Sequence, residues 1–167
     1  DIYDRNMQKL ATSSAAWTVY ITPNGINNIE SDAEKEKVRK VIAENLSQIL
    51  EVEYDTVYEK TGKKNYYVEV KKKIDKTVAD KVREFLADEA YEDLELVKYI
   101  GLDETTKRYY PNDSLASVVL GFVGSDDQGL AGIESYYDNE LTGIAGRVVA
   151  AKNAAGIDLP LTYERIE

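Results

Sequence analysis

The 167-residue chain predicts an α+β fold: a sheet formed by its N- and C-terminal segments, with an α/β lobe over roughly residues 29–98 inserted between them. Three features carry this expectation. An early stretch alternates apolar and polar residues. Two amphipathic helix patterns, separated by a second alternating stretch, fill the middle of the chain. Seven of the ten glycines fall between Gly101 and Gly146, a density that marks tight turns and close backbone approaches instead of long regular elements.

In chain order, Trp17, Val19 and Ile21 alternate with Thr18, Tyr20 and Thr22, a half-buried strand that Pro23-Asn24-Gly25 ends. Ser31 followed by Glu34 makes a capping box, in which the hydroxyl takes an unbonded backbone N–H and the carboxylate reaches back. The helix it starts sets Val38, Val41, Ile42, Leu46, Ile49 and Leu50 on one face. A short helix over 54–60 leads into the turn Thr61-Gly62-Lys63-Lys64-Asn65. Tyr66, Val68 and Val70 then alternate with Tyr67, Glu69 and Lys71, a strand with one wet face. Asp75 caps a second amphipathic helix whose inner side carries Val78, Ala79, Val82, Phe85 and Leu86. Beyond it the pattern predicts short strands over 94–100 and 107–110 and short helices over 114–120 and 132–141. Extended tail segments follow over 147–151 and 157–161, broken at Gly156 and Pro160.

Composition removes several kinds of function. A hydrophobic content of 43% is that of a chain able to bury a core. Against 21 Lys plus Arg stand 31 Asp plus Glu, and the resulting net charge of -10 repels phosphate backbones and anionic membrane faces, so nucleic acid is not an expected partner. The absence of cysteine and histidine removes thiol nucleophiles, disulfides, imidazole bases and the usual zinc ligand sets; no catalytic residue, cofactor or metal site is expected. No apolar run has the length of a membrane helix. The chain opens on Asp1 in mid-motif, which reads as an excised piece of a longer protein.

Ser125-Asp126-Asp127-Gln128-Gly129 invites a calcium reading, but with Gly129 at the sharp-turn position the bidentate Glu position falls on Ser135. A turn into the next helix, its acids favoured by the helix dipole, is expected instead. Thirteen tyrosines, against two phenylalanines and one tryptophan, suit half-buried edges and contact surfaces; they could also stack sugars, but packing is the expected role. An Arg among apolar strand residues needs a partner, because an unpaired buried charge is costly. Asp4-Arg5 and Arg108 are therefore singled out. Glu134 is the expected partner of Arg5, held through two parallel hydrogen bonds.

Three ordered motifs span most of the chain. The first is Asp1-Ile2-Tyr3-Asp4-Arg5-Asn6 with Leu10-Ala11. The second is Arg108-Tyr109-Tyr110-Pro111 with Leu115-Ala116 and Gly121-Phe122-Val123-Gly124. The third is Gly129-Leu130-Ala131-Gly132-Ile133-Glu134, running on through Tyr137-Asp138 and Leu141 to Gly143 and Gly146. Together they resemble the N-terminal dimerisation, or pedestal, domain of class B penicillin-binding proteins. The family's usual residue is glycine where Met7 and Asp113 stand, and often histidine where Val118 stands. Asp113 tolerates a left-handed turn and so need not break the bend there. The tail Ala151-Lys152-Asn153-Ala154-Ala155-Gly156 is most similar to division-type and sporulation-specific transpeptidases of low-GC Gram-positive bacteria.

The resemblance makes Asp4, Arg5, Arg108, Tyr110, Pro111, Gly121, Gly132, Glu134 and Gly143 the structural and interface candidates. It implies a membrane anchor upstream and a penicillin-acylated serine D,D-transpeptidase downstream, both outside this chain, on the extracytoplasmic face of the cell membrane. The domain itself would be a non-catalytic scaffold in cell-wall synthesis. It would position the transpeptidase domain and dock a membrane glycosyltransferase or other division proteins, with a homodimer as a further possibility. Lys60-Thr61-Gly62 imitates a triplet of the penicillin-recognising enzymes, but no Ser-x-x-Lys or Ser-x-Asn accompanies it, and a solvated helix-to-strand turn is the expected role. The alternative from another class is a self-standing extracellular module binding glycan or peptide through the tyrosines and the acidic loop.

Overall fold

The computed structural model describes residues 1–143. They run in the order β1 (Ile2–Tyr3), β2 (Lys9–Ile21), α1 (Pro23–Asn27), α2 (Asp32–Leu50), α3 (Tyr54–Thr61), β3 (Val68–Ile74) and α4 (Lys76–Leu86). Two 3-10 turns follow, Glu89–Leu94 and Leu96–Lys98. Then come β4 (Ile100–Tyr109), α5 (Ser117–Leu120), α6 (Gly132–Tyr136) and α7 (Asp138–Thr142). The chain divides into two compact units, Asp1–Asn112 and the residues from Asp113 onward.

In the first unit β2 is the central strand, antiparallel to all its neighbours. β1 pairs with its first residues, Ile2 opposite Ala11 and Tyr3 opposite Lys9. β3 pairs with Trp17 to Ile21, and β4 pairs one-to-one from Thr12 opposite Tyr109 to Ile21 opposite Ile100. Alternation then decides the faces. Trp17, Val19 and Ile21 join Val38, Ile42, Ala43, Leu46 and Leu50 of α2, Val57 of α3, and Ala79, Val82 and Phe85 of α4 in one buried cluster. Residues 29–98 are inserted between the paired strands β2 and β4, and their helices and β3 share a core with those strands. The boundary between the two compact units falls after Asn112.

Local signals account for most element ends. Ser31 Oγ accepts the Glu34 N–H at 3.4 Å, and α2 stops where Glu51 turns left-handed at φ 51. Pro23 starts α1, a short helix that the sequence pattern concealed behind an apparent turn. Asp75 does stand at the N-cap of α4, but its carboxylate meets Lys107 Nζ at 3.2 Å and makes no side-chain cap bond. The strand expected over 94–100 is instead 3-10 turn up to Lys98. The Asp88 carboxylate accepts the Ala90 N–H at 2.9 Å, and Glu95 at φ 46 breaks any extension, leaving the strand to begin at Ile100. Likewise the helix expected over 132–141 breaks at Tyr137 into α6 and α7. The extended segments expected over 147–151 and 157–161, the tail motif at 151–156 and Gly146 lie outside the described residues.

The sheet face turned away from the core is aromatic at one point. Tyr20 and Tyr67 stack with ring centroids 4.6 Å apart, and Tyr20 fills the space where a side chain on Gly101, directly opposite it, would sit. The Tyr67 hydroxyl donates to Asp103 Oδ2 at 2.9 Å. Loss of solvent, and then that bond, push the Tyr67 phenol up to about 12. A phenol that holds its proton more tightly when folded adds stability below the unfolded pKa, near 10, and loses it as pH rises through the folded value. Stability measured by denaturant titration should therefore fall between pH 10 and 12. In Tyr67→Phe that part of the fall should vanish.

Candidate functional site

Asp4, the first motif residue, builds a turn. Its carboxylate accepts the N–H groups of Asn6 and Gln8, both at 2.8 Å, while Asp4 N–H donates to Gln8 O at 2.9 Å and Met7 N–H to Asp4 O at 3.0 Å. This loop brings β1 back onto β2. It also explains the departure at Met7, which sits left-handed at φ 62, the backbone state that glycine adopts without steric cost. Asp113, the other position where glycine is usual, is left-handed too, at φ 48, so the bend persists as expected. Arg5 is exposed on this turn, and burial gives it no need of a carboxylate.

Arg108 is the half-buried arginine. It lies on β4 opposite Ser13 and donates from Nη1 to Ser13 Oγ at 3.2 Å. Tyr110 is half-buried just past β4, and Pro111 is exposed. Asn112 Nδ2 donates to the Lys9 carbonyl at 3.2 Å, tying the end of the first unit to the start of β2.

Within the second unit the motif glycines press backbone against backbone. A Cβ on Gly121, at φ 76, would run into the carbonyl of Ala131. One on Gly132, at φ 60, would come 2.6 Å from Gly121 N and 2.5 Å from Val119 O. A Cβ on Gly129 would strike the Glu134 carbonyl, and the Gly129 N–H donates to Asp138 Oδ1 at 2.7 Å. That last bond joins two motif residues and was not foreseen from their spacing. Gly124 N–H donates to Gln128 O at 2.8 Å and Asp127 N–H to Gly124 O at 3.2 Å, so Ser125 to Gly129 form a tight turn leading into α6. The Glu134 side chain is buried, at 2% exposure, whereas Gly143 at φ 68 faces open space.

The Lys60-Thr61-Gly62 triplet falls at the end of α3, with Lys60 half-buried, Thr61 buried and Gly62 exposed. Thr61 is fully buried; its hydroxyl donates to Tyr58 O at 2.6 Å and accepts from Arg39 Nε at 3.0 Å. The Arg39 guanidinium also lies 4.4 Å from the Tyr58 ring centroid, and the Tyr58 hydroxyl donates to Glu36 at 2.8 Å. That bond, with help from Lys40, holds the Glu36 carboxyl below its ordinary range. Lys60 donates to Val70 O at 3.2 Å, and burial followed by nearby Lys63 lowers its ammonium pKa. The triplet fastens α3 to α2 and β3, and its hydroxyl is already committed at both ends. Trp17 is 8% exposed, with the Arg83 guanidinium 5.3 Å from its ring centroid, so it offers no surface for a sugar to stack on.

Two substitutions read these backbone constraints. Met7→Gly relieves a left-handed cost of about 1–2 kcal/mol and gives back about 0.5–1 kcal/mol of chain entropy, so a small rise in thermal midpoint is expected. Gly121→Ala forces a methyl into backbone and should cost upwards of roughly 2 kcal/mol. Hydrogen exchange should localise that loss to residues 113–143.

The family description "Penicillin-binding Protein dimerisation domain" matches residues 1–164. Stage V sporulation protein D of Bacillus subtilis is 33% identical over 96% of this chain and 22% of its own length. The probable peptidoglycan D,D-transpeptidase PenA of Neisseria gonorrhoeae is 26% identical over 93% of the chain and 24% of its own length. The chain thus spans about a quarter of the curated relatives it matches. Among solved structures, a complex between penicillin-binding protein PBP2 and MreC from Helicobacter pylori is similar with a TM-score of 0.60 and 25% identity, covering 98% of this chain and 31% of that one. Penicillin Binding Protein 2X from Streptococcus thermophilus shares the fold with a TM-score of 0.56 and 23% identity, over 99% and 26%. A mixed helix-and-sheet domain with a long central strand, a motif-built turn at Asp4 and glycine-packed backbone after Asp113 belongs to the penicillin-binding protein dimerisation domain family.

Proposed function

We propose that this domain is a non-catalytic scaffold of a peptidoglycan D,D-transpeptidase in cell-wall synthesis. It positions the transpeptidase domain and docks partner proteins on the extracytoplasmic side of a membrane-anchored parent. The observation that carries the reading is family membership over residues 1–164, in a chain whose one imitation of a penicillin-site triplet spends its hydroxyl on packing. The relatives named for D,D-transpeptidase activity are about four times longer than the matched region, so the chemistry is assigned to the part of the parent beyond this domain. Among the described residues no helix is long and apolar enough to cross a membrane.

Docking is supported by the named complex of the Helicobacter PBP2 with MreC and by the surface of the second unit. There Val118, Phe122, Leu130 and Tyr136 are all more than half exposed, with Val118 at 93%. Apolar side chains gathered in so short a stretch are typical of a contact face. The partner class proposed is a polytopic membrane protein of cell-wall synthesis, such as a glycosyltransferase.

Labelled penicillin tests the first part. The 167-residue chain should keep its mass after incubation, and a covalent adduct would overturn the non-catalytic assignment. A photo-crosslinker at Val118 in the membrane-anchored parent should trap an integral membrane protein; adducts confined to soluble proteins would remove the docking role.

A further inference from the structure

On the sheet face turned away from the core, Tyr67 is held flat with one side of its ring to spare. Tyr20 stands opposite Gly101, and its ring lies against that glycine: a Cβ there would be 2.2 Å from Tyr20 Cζ. With one ring face against β4, Tyr20 gives the other to Tyr67, whose ring stacks on it with centroids 4.6 Å apart and planes 25° from parallel. Gly101 and Asp103 project from the same face of β4, as alternate residues of a strand do. The Tyr67 hydroxyl therefore reaches Asp103 Oδ2, at 2.9 Å, while its ring stays over Tyr20. Two contacts fix this ring, yet the residue is 45% exposed, so what it presents to solvent is the side turned away from Tyr20.

The surroundings of that ring are acidic. Asp103 accepts its hydroxyl, and Glu69, opposite Tyr20 on β3, is the second charged group that acts on the phenol. Both are carboxylates. The face of an aromatic ring is the negative part of its quadrupole, so a cation laid over it is attracted by the ring and by the carboxylates together. A neutral ligand gains nothing from the charges, and an anion is repelled by them.

Two other places in the chain show what occupies such a position. At Tyr58 the hydroxyl donates to Glu36 at 2.8 Å, the Arg39 guanidinium lies 4.4 Å from the ring centroid, and Arg39 Nη1 stands 3.9 Å from Glu36 Oε2. At Trp17 the Arg83 guanidinium lies 5.3 Å from the ring centroid and pairs with Asp80 at 2.6 Å. Each joins a ring, a carboxylate and an arginine. Tyr67 and Asp103 repeat the ring and the carboxylate, with the same hydroxyl-to-carboxylate bond as at Tyr58. Among the described residues no arginine lies over the Tyr67 ring. A guanidinium suits this place better than an ammonium, because its plane can lie on the ring while its edge donates two parallel hydrogen bonds to a carboxylate.

We infer that Tyr67 and Asp103 form a docking site for an arginine side chain of a partner protein, stacked on the Tyr67 ring and bonded to the Asp103 carboxylate. Tyr66, the preceding residue, is 76% exposed and adds apolar surface for whatever flanks the arginine. The site belongs to the first unit. It rests on neither the scaffold reading nor the exposed apolar residues around Val118, so each can fail without the others.

NMR titration of the 167-residue chain, with its tyrosine rings isotope-labelled, tests the inference. The probes are an end-capped Gly-Arg-Gly peptide, the same peptide with lysine or citrulline in place of arginine, and N-acetylglucosamine as a neutral stacking sugar. The arginine peptide should move the Tyr67 ring resonances saturably, with the weak, millimolar affinity of a single exposed anchor. Citrulline keeps a similar plane without the charge and should bind about tenfold more weakly; lysine should bind about threefold more weakly. Asp103→Asn leaves an acceptor for the Tyr67 hydroxyl but removes the charge, and should weaken the arginine peptide about tenfold. Tyr67→Leu should abolish saturable shifts at the Tyr20 and Tyr66 rings, with the remaining amide spectrum of each variant confirming its fold. No shift at Tyr67, equal affinity for arginine and citrulline, an affinity unchanged in Asp103→Asn, or saturation by the sugar in preference to arginine would each overturn the inference.

Discussion

The first unit depends on the hydrogen-bonded register between β2 and β4. Ten consecutive pairs bring Ile21 against Ile100 at one end and Thr12 against Tyr109 at the other, so a slip of one residue would turn Trp17, Val19 and Ile21 away from the helices. Nothing in β2 alone prevents that slip, because its first half is polar and small. The register is fixed from outside, by the helices that cover Val19 and Ile21 and by Tyr20 filling the space over Gly101. A side chain at Gly101 would contest that space, so glycine there holds the strand in place as well as accommodating a ring. The polar contacts binding α3 to α2 then hold the helices that enforce the register.

Part of this was legible from the chain. The N-cap at Ser31 follows from its residue type, and the inward faces of α2 and α4 and the strand at Trp17 to Ile21 follow from periodicities that the tertiary structure leaves intact. The first half of β2 was not legible, since Thr12, Ser13, Ser14 and Ala15 carry no alternation; they are strand because β4 pairs with them. The reading of 94–100 as strand failed for the opposite reason. Apolar residues at Leu94, Leu96 and Ile100 mimic a strand, but Glu95 in the left-handed region curls them into two short turns whose apolar residues still reach the core.

Candidate residues divided along the same line. Those that shape the main chain carry a signature in their residue type: Asp113, Gly121 and Gly132 take left-handed conformations, and the Asp4 carboxylate accepts the N–H groups of its own turn. Those that act through tertiary partners carry none. Arg5 and Arg108 look alike in the sequence, yet one is exposed on a turn and the other half-buried on a strand. The commitment of Thr61 to Tyr58 and Arg39 depends on α2 lying alongside α3, which no three-letter pattern records.

In the second unit, among the described residues, a single large apolar side chain, Leu120, is buried, as is the side chain of Glu134, while the glycines bring main chain onto main chain. Such a segment takes its shape from where atoms are missing instead of from oil-like packing. Its glycines then act as punctuation that one methyl can ruin, and the outward residues between them are spared any duty to the fold. Val118, Val119 and Tyr136 can change identity at little cost to the architecture. One rigid outline could in this way be dressed for different neighbours, by exchanging only the letters that do not hold it up.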